Sequence, residues 1–280
     1  MAKPMFKWVG GKTQLLEEIT NSLPEGNRLF EPFVGGGAVS LRLVGAKYPL
    51  GVINDLNPSV VATYRQVKED PQSLMDRLDE IRSKEGWDSQ ESYLLARFQF
   101  NNLAPTSPDL DRASLFLLLN RTGFNGMFRT NRKGAFNVPW GKHVNPKLYD
   151  RTTILEAQKV LQNCVIRNTG YREATLDAQP GDVVYFDPPY HKVSDTSSFS
   201  SYFGVFGPQQ QIELANYFRQ LVDKGVGCVL SNSHTAQTLE WYRDFNIKVV
   251  GARRNINSKG DKRGEVSEIL VSSIPLGADF

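Results

Sequence analysis

Asp187-Pro188-Pro189-Tyr190 puts an acid, two rigid imides and an aromatic ring in a row. The four residues follow VVYF (183–186), an apolar run with the composition of a buried strand. In a parallel sheet, an aspartate at a strand's carboxyl end faces a crevice. The prolines fix φ and remove two N–H donors, so nearby carbonyls can turn outward as acceptors. A carboxylate, an outward carbonyl and a flat ring together suit an aromatic amine. The two oxygens accept its N–H groups while its ring stacks on the tyrosine. Asp187, Pro188 and Tyr190 are the candidate catalytic residues.

A second set points to a ligand carrying adenosine. FVGGGAV (33–39) holds three adjacent glycines, Gly35, Gly36 and Gly37, which let a ligand approach the backbone closely. Their spacing is not that of a pyrophosphate fingerprint. Asp55 follows Gly35 by twenty positions, at the end of the strand-like GVIN (51–54), where an acid binds ribose hydroxyls in nucleotide-binding sheets. A third stretch, KWVGGKTQLL (7–16), imitates a phosphate-binding loop. That loop needs a glycine at position 6, which here is Phe6. GGKT is thus read as a glycine turn before a helix whose apolar face is Leu15, Leu16, Ile19 and Leu23.

Other chemistries are disfavoured. Cys164 and Cys228 are far apart, and with His143, His191 and His234 they offer no metal-ligand spacing, so no metal is expected. A cytosine C5 methyltransferase would use a cysteine nucleophile, typically after proline. Here Asn163 precedes one cysteine and Gly227 the other. No apolar run approaches the ~18 residues that span a membrane, and no signal-peptide pattern opens the chain. The expectation is a cytoplasmic protein with reduced cysteines and no membrane partner.

These residues need a scaffold, and the pattern supplies an α/β one. RLFEPF (28–33), a glycine turn, a helix over 38–44 and GVIN form a βαβ unit. Val60, Val61, Tyr64 and Val67 begin a helical region that Leu74, Leu78 and Ile81 continue, and LFLLLN (115–120) is a buried helix. GMFRT, NRKG and AFNVP (126–139) form a hairpin with a basic tip. Afterwards come a helix at Ile154, Ala157 and Leu161, the strand 183–186, a helix over 208–224, the strand 226–232 and a helix near 235–244. NIKVV (246–250) and SEILVSS (267–273) are final strands. A helical and hairpin segment, 58–145, is therefore inserted between the two pieces of one sheet domain, 1–57 and 146–280.

Charge marks the insertion. The net charge is +3, yet residues 112–149 contain no acid where about four would be expected, and they hold seven basic residues. Arg253, Arg254, Lys259, Lys262 and Arg263 form a second basic cluster. Two such clusters in a nearly neutral protein suggest a polyanion partner. Lys133, at the hairpin tip, is read as a phosphate contact.

FKWVGGK (6–12), EPFVGGG (31–37), NDLN (54–57) and DPPY (187–190), in this order, resemble the Dam-type, D12-class DNA adenine methyltransferases. The resemblance covers almost the whole chain. NRTGFNGMFRTNRKGAFNVPWG (120–141) is similar to the hairpin region of members that methylate adenine in GATC. The resemblance implies a Rossmann-like methyltransferase sheet with an inserted DNA-recognition domain. It implies methyl transfer from S-adenosylmethionine to adenine N6 in double-stranded DNA, in a solitary or restriction-modification setting. The same sheet also serves methyltransferases acting on RNA or a protein amide, which is the alternative. By resemblance, Trp8 and Lys12 hold S-adenosylmethionine, Asp55 binds its ribose, Phe33 to Gly37 line its pocket, and Asp187 lies close to both cofactor and target base. Lys7, Phe124, Asn125, Met127, Arg129 and Pro139 match positions linked to reading DNA. Met127 stands where leucine is common in relatives.

Overall fold

The computed structural model describes residues 2–191, 206–253 and 265–275. The basic residues Arg254, Lys259, Lys262 and Arg263 lie outside these, as does the side chain of Arg253.

Seven strands form one sheet: β1 Arg28–Glu31, β2 Leu50–Asn54, β3 Cys164–Arg167, β4 Val183–Phe186, β5 Gly227–Ser233, β6 Asn246–Arg253 and β7 Glu265–Ser272. Their order is β3-β2-β1-β4-β5-β7-β6. The first five are mutually parallel, and β7 runs antiparallel between β5 and β6. This is the Rossmann-like α/β sheet that the sequence pattern implied. The order reverses between β1 and β4, so a crevice opens there at the strands' carboxyl ends. The glycine turn leaves β1 and the Asp187 segment leaves β4, one on each side of that point.

Alternation along the strands assigns the two faces. Leu29, Ile53, Val183, Tyr185, Val229 and Leu270 face one apolar core. Phe30, Val52, Val184, Phe186, Leu230, Ile269 and Val271 face the other. The first core is covered by α1 Leu16–Ser22, α2 Ala38–Leu43, α3 Pro58–Glu69, α4 Pro71–Arg82, α5 Gln90–Asn101, α6 Asp109–Thr122 and α7 Arg151–Leu161. The second is covered by the segment around α8 Tyr171–Ala174, and by α9 Pro208–Asp223 and α10 Ala236–Trp241. The segment between β2 and β3 thus adds to the first core. Its α3 packs on both α6 and α7.

Two elements depart from the sequence reading. The helical region expected to continue from 60 through 81 is broken at Asp70. Pro71 has no N–H to continue a helix, and the Asp70 side chain accepts from Ser73 N to start α4 afresh. The hairpin of 126–139 forms without continuous strands. Arg129 to Asn137 are joined across the bridge Thr130↔Phe136, and Gly123↔Trp140 makes a second bridge. Between them lies a tight turn, Phe124–Gly126, where Asn125 (φ 55°) and Gly126 (φ 64°) leave extended geometry. Helix α5 and the edge strand β3 go beyond the sequence reading, because α5 is weakly amphipathic and CVIR is only four residues long.

Candidate active site

Period-two alternation carries the chemistry to one place. Glu31 at the end of β1, Tyr185 in β4, Ser231 in β5 and Glu268 in β7 all lie on the first face. Asp187 continues the β4 parity just past the strand. Its Oδ2 is 2.7 Å from the buried Lys12 ammonium. Lys12 Nζ also donates to the Gly10 carbonyl at 2.6 Å and lies 4.8 Å from the centre of the Tyr190 ring. The Tyr190 hydroxyl in turn donates to Glu268 Oε2 at 2.8 Å. Acid, cation and ring, expected from one four-residue motif and one distant lysine, thus form a single cluster.

The loop after β4 is tied down at several points. Gln211 Nε2 donates to the Pro189 carbonyl at 2.7 Å, and Asn232 Nδ2 donates to Gln211 Oε1 at 2.9 Å. His191 N donates to Asn232 Oδ1, and Ser233 Oγ donates to the His191 carbonyl. These bracing bonds fall on Pro189 and His191 and do not use the Pro188 carbonyl. Asp187 and Tyr190, joined through Lys12, thus stand on a braced backbone.

Burial of three carboxylates around this crevice shifts their ionisation. Burial pushes Asp187 up to about 6, against the pull of Lys12. It pushes Glu31 up to about 8, although Glu31 Oε2 accepts from Ser40 N at 2.9 Å. Asp55 also rises to about 6 through burial, while Gly35 N and Asn57 N donate to its two oxygens at 3.0 and 2.8 Å. Sequence reasoning missed Glu31 and Glu268. A signal existed for Glu31, an acid directly after the apolar pair Leu29-Phe30, but none for Glu268, which shares its strand with a second acid and two serines.

The glycine turn explains the KWVGGK segment. Gly35 has φ +45°, and a Cβ there would lie 2.4 Å from Trp8 Nε1. The turn is therefore flush against the Trp8 indole, and Tyr64 Oη donates to the Gly35 carbonyl from behind. Phe6, where a phosphate loop needs glycine, is instead core, in ring contact with Trp8, Tyr64 and Phe116. Contacts therefore run from Asp55 to Gly35 and from Gly35 to Trp8, and separately from Lys12 to Asp187 and Tyr190. Phe33 sits apart from Trp8, on the second face, among Tyr171, Phe186 and Phe206. Gly37 caps α2 with φ +71°.

The basic insertion reaches this crevice from one side. Phe128 of the hairpin packs on Trp8, Phe116 and Phe136. Asn120, buried in α6, makes three hydrogen bonds: from Lys7 N at 3.0 Å, to the Lys7 carbonyl at 2.9 Å and to the Gly126 carbonyl at 2.8 Å. It thereby fastens the residue before Trp8 to the Phe124–Gly126 turn. Phe124, Asn125, Arg129, Lys133 and Pro139 are exposed, and Met127 is half-buried beneath them. Arg129 lies across the hairpin, with Nε 2.8 Å from Asn137 Oδ1. At the tip, Asn131 Oδ1 accepts from Lys133 N and Ala135 N, closing the turn around two basic side chains.

A family model described as D12 class N6 adenine-specific DNA methyltransferase matches residues 8–256. The chain belongs to this family. The methyltransferase is 39% identical over 276 residues to Type II methyltransferase M1.LlaDCHI of Lactococcus lactis subsp. cremoris, covering 97% of this chain and 95% of that one. It is 39% identical to Type II methyltransferase M.MjaIII of Methanocaldococcus jannaschii, covering 96% and 98% of the two chains. It is 35% identical to the DNA adenine methylase of Escherichia coli strain K12, covering 96% and 94%. The enzyme is an adenine-specific DNA methyltransferase of this class, as its motifs implied. Among the described residues, no group of His, Cys, Asp and Glu is placed to hold a metal ion, and no helix is long and apolar enough to cross a membrane.

Proposed function

We propose that the enzyme moves the methyl group of S-adenosylmethionine to N6 of an adenine held out of double-stranded DNA, within GATC, in the cytoplasm. The observation that carries this reading is the Asp187 carboxylate, beside the Pro188 carbonyl and the Tyr190 ring, next to the glycine turn.

The crevice suits the methyl donor. Each Asp55 oxygen already accepts one backbone N–H and keeps a second lone pair for a ribose hydroxyl. The backbone of Gly35 to Gly37 admits a close ligand, and Trp8 and Lys12 close the opposite side. Phe33 offers a ring edge on the far face. When bound, S-adenosylmethionine supplies an electrophilic methyl group on sulfonium.

The chain's own residues do the rest. Adenine's amino lone pair is spread into its ring, which makes the nitrogen a poor nucleophile. Asp187 and the Pro188 carbonyl accept its two N–H bonds and return electron density to it, while Tyr190 stacks on the ring. Holding the nitrogen in line supplies much of the rate. Positive charge develops on that nitrogen, and the Asp187 carboxylate stabilises it. With a carboxyl that titrates near 6, Asp187 can take up the surplus proton and release it to water at neutral pH. Lys12 bonds Oδ2 of the same carboxylate, which leaves Oδ1 to accept from the amino group.

Residues 58–145 act as the recognition insertion on the catalytic domain formed by 1–57 and 146–280. Phe124, Asn125, Met127, Arg129 and Pro139 read or flank the bases, with Lys7 beneath them, and Lys133 contacts phosphate. The test is methyl transfer to unmethylated duplexes containing GATC, to single-base variants and to RNA, with calorimetry against S-adenosylmethionine and ATP. Transfer should be fastest on GATC, with binding of the methyl donor and no ATP turnover. Transfer to RNA alone, or ATP turnover without binding of the methyl donor, would overturn the reading.

A further inference from the structure

Tyr190 is held from an unexpected direction. It lies three residues past Asp187, at the carboxyl end of β4, yet its hydroxyl donates to Glu268 on β7 at 2.8 Å. Strand β5 lies between β4 and β7, so the bond reaches across a neighbouring strand. Glu268 itself is fixed on both sides, paired in register with Ser233 of β5 and with Val250 of β6. The anchor therefore belongs to the paired interior of the sheet, whereas Tyr190 belongs to a loop. A tyrosine with a free hydroxyl keeps rotational freedom about two side-chain torsions. Tethering the hydroxyl fixes where the far end of the ring sits, and because a phenolic O–H lies in the plane of its ring, an acceptor held in one place also favours one ring plane. That plane here faces the Lys12 ammonium at 4.8 Å, and the same ammonium is 2.7 Å from Asp187. The Lys12 ammonium thus links the ring face to the carboxylate that is to accept the amino group.

We propose that Glu268 is a positioning residue for methyl transfer: by accepting the Tyr190 hydroxyl, it sets the ring plane on which the target base stacks. It orients the ring through Tyr190, its charge also raises the Asp187 carboxyl, and the inference rests on Tyr190 being the stacking plate. Uniform binding of the methyl donor does not involve this bond. Loss of the tether therefore lowers kcat and leaves the KM for S-adenosylmethionine unchanged.

The experiment is a double-mutant cycle on the full-length enzyme with Glu268→Ala, Tyr190→Phe and their combination, plus Glu268→Gln as the conservative variant. Rates are read on a duplex substrate, and melting curves confirm that each variant is folded. Tyr190→Phe keeps the ring and removes only the hydroxyl. Glu268→Gln keeps an acceptor oxygen at the same place. Loss of a hydrogen bond to a charged group predicts that Glu268→Ala and Tyr190→Phe each lower kcat roughly ten- to a hundredfold. The double variant should be no worse than the poorer single one. Glu268→Gln should recover most of the loss. A duplex with 2-aminopurine at the target position should show weaker or broader emission changes with Glu268→Ala than with wild type. Losses that multiply in the double variant, or wild-type kcat in Glu268→Ala, would overturn the tether while leaving the methyltransferase reading intact. A wild-type enzyme inert on every duplex would overturn both.

Discussion

Lys12 and Arg129 are both cations paired within the fold, and the two pairs are built differently. Lys12 is buried, bonds Asp187 at 2.7 Å, donates to the Gly10 carbonyl and is felt by Glu31. Arg129 is exposed and rests on Asn137, a neutral side chain, through Nε at 2.8 Å and through Nη2 to the carbonyl at 3.2 Å. Desolvation strains the first pair, so its carboxylates titrate far from their ordinary range. The second pair is close to water and can be exchanged for another partner at little cost. A crevice that does chemistry holds its charges ready before substrate arrives. A surface that reads another molecule keeps its side chain oriented and easily released.

The largest effect is expected where the charges are buried. Asp187→Ala removes an acceptor used mainly in the transition state, and turnover should fall by ~10²-fold or more. DNA affinity, measured by fluorescence anisotropy, should change far less. Near wild-type methylation by this variant would show that the crevice is not where the amino group is held.

The hairpin should fail in another way. Arg129→Ala should relax discrimination at one guanine of the target by ~1–3 kcal/mol, so near-cognate duplexes gain relative to GATC. Lys133→Ala should weaken all duplexes alike and flatten the salt dependence. Methylation rates on single-base variants at two salt concentrations separate the two. An Arg129→Ala enzyme that slows equally on every duplex, with its ranking of sites unchanged, would make Arg129 only another backbone contact.

Much of this contrast is legible in sequence because it rests on local rules. Strand parity and the proline pair each depend on a few adjacent residues, and the Gly35–Asp55 spacing lies within one βαβ unit, so the sheet follows from them. What is not legible depends on distant packing. Glu268 is one acid in a strand recognisable only by its apolar residues. Its pairing with Tyr190 requires knowing that β7 lies beside β5. Asn120 stands in sequence only as the first residue of the hairpin motif, and its three partners come from segments 113 residues away and 6 residues away. The hairpin is expected from its turn chemistry, yet positive φ at Asn125 and Gly126 turns the chain where the expected strand begins.

Asn120 joins the two regions, and removing it sharpens the comparison. Asn120→Ala leaves the Gly126 carbonyl unpaired in a buried setting, and the Lys7 N–H and carbonyl unpaired in a part-buried one. Each unpaired group costs on the order of 1–3 kcal/mol. Denaturant unfolding should show a loss of that order at least. Binding of the methyl donor and discrimination among duplexes should both weaken, because Trp8 and the Phe124–Gly126 turn lose their common anchor. A variant with unaltered stability would mean that water replaces all three bonds.

The smallest effect concerns pH, where activity and stability should follow opposite trends. Burial raises Glu31 to about 8, and Asp55 and Asp187 to about 6. A carboxyl whose folded value lies above its unfolded one binds its proton more tightly in the folded protein. Stability from these three groups is therefore present at low pH and is lost as pH rises through the folded values. Acidifying the ligand-free enzyme from pH 8 to about pH 5 should raise its melting temperature by a few degrees. Asp177 works the other way, since the Arg167 hydrogen bond lowers it to about 2. Its contribution is complete above the unfolded value near 3.8 and is lost only as pH falls toward 2, outside this window. Turnover needs the Asp187 carboxylate ionised, so kcat should decline below about 6 while the melting temperature still rises. Glu31→Gln carries no charge at that position and should remove most of the stability rise between pH 8 and about 6 and make the remaining rise toward pH 5 shallower. Scanning fluorimetry and single-turnover methylation in the same buffers give both curves. A melting temperature that falls steadily across this window would mean that these carboxylates are not held in the buried, strained state that sets the crevice apart from the hairpin.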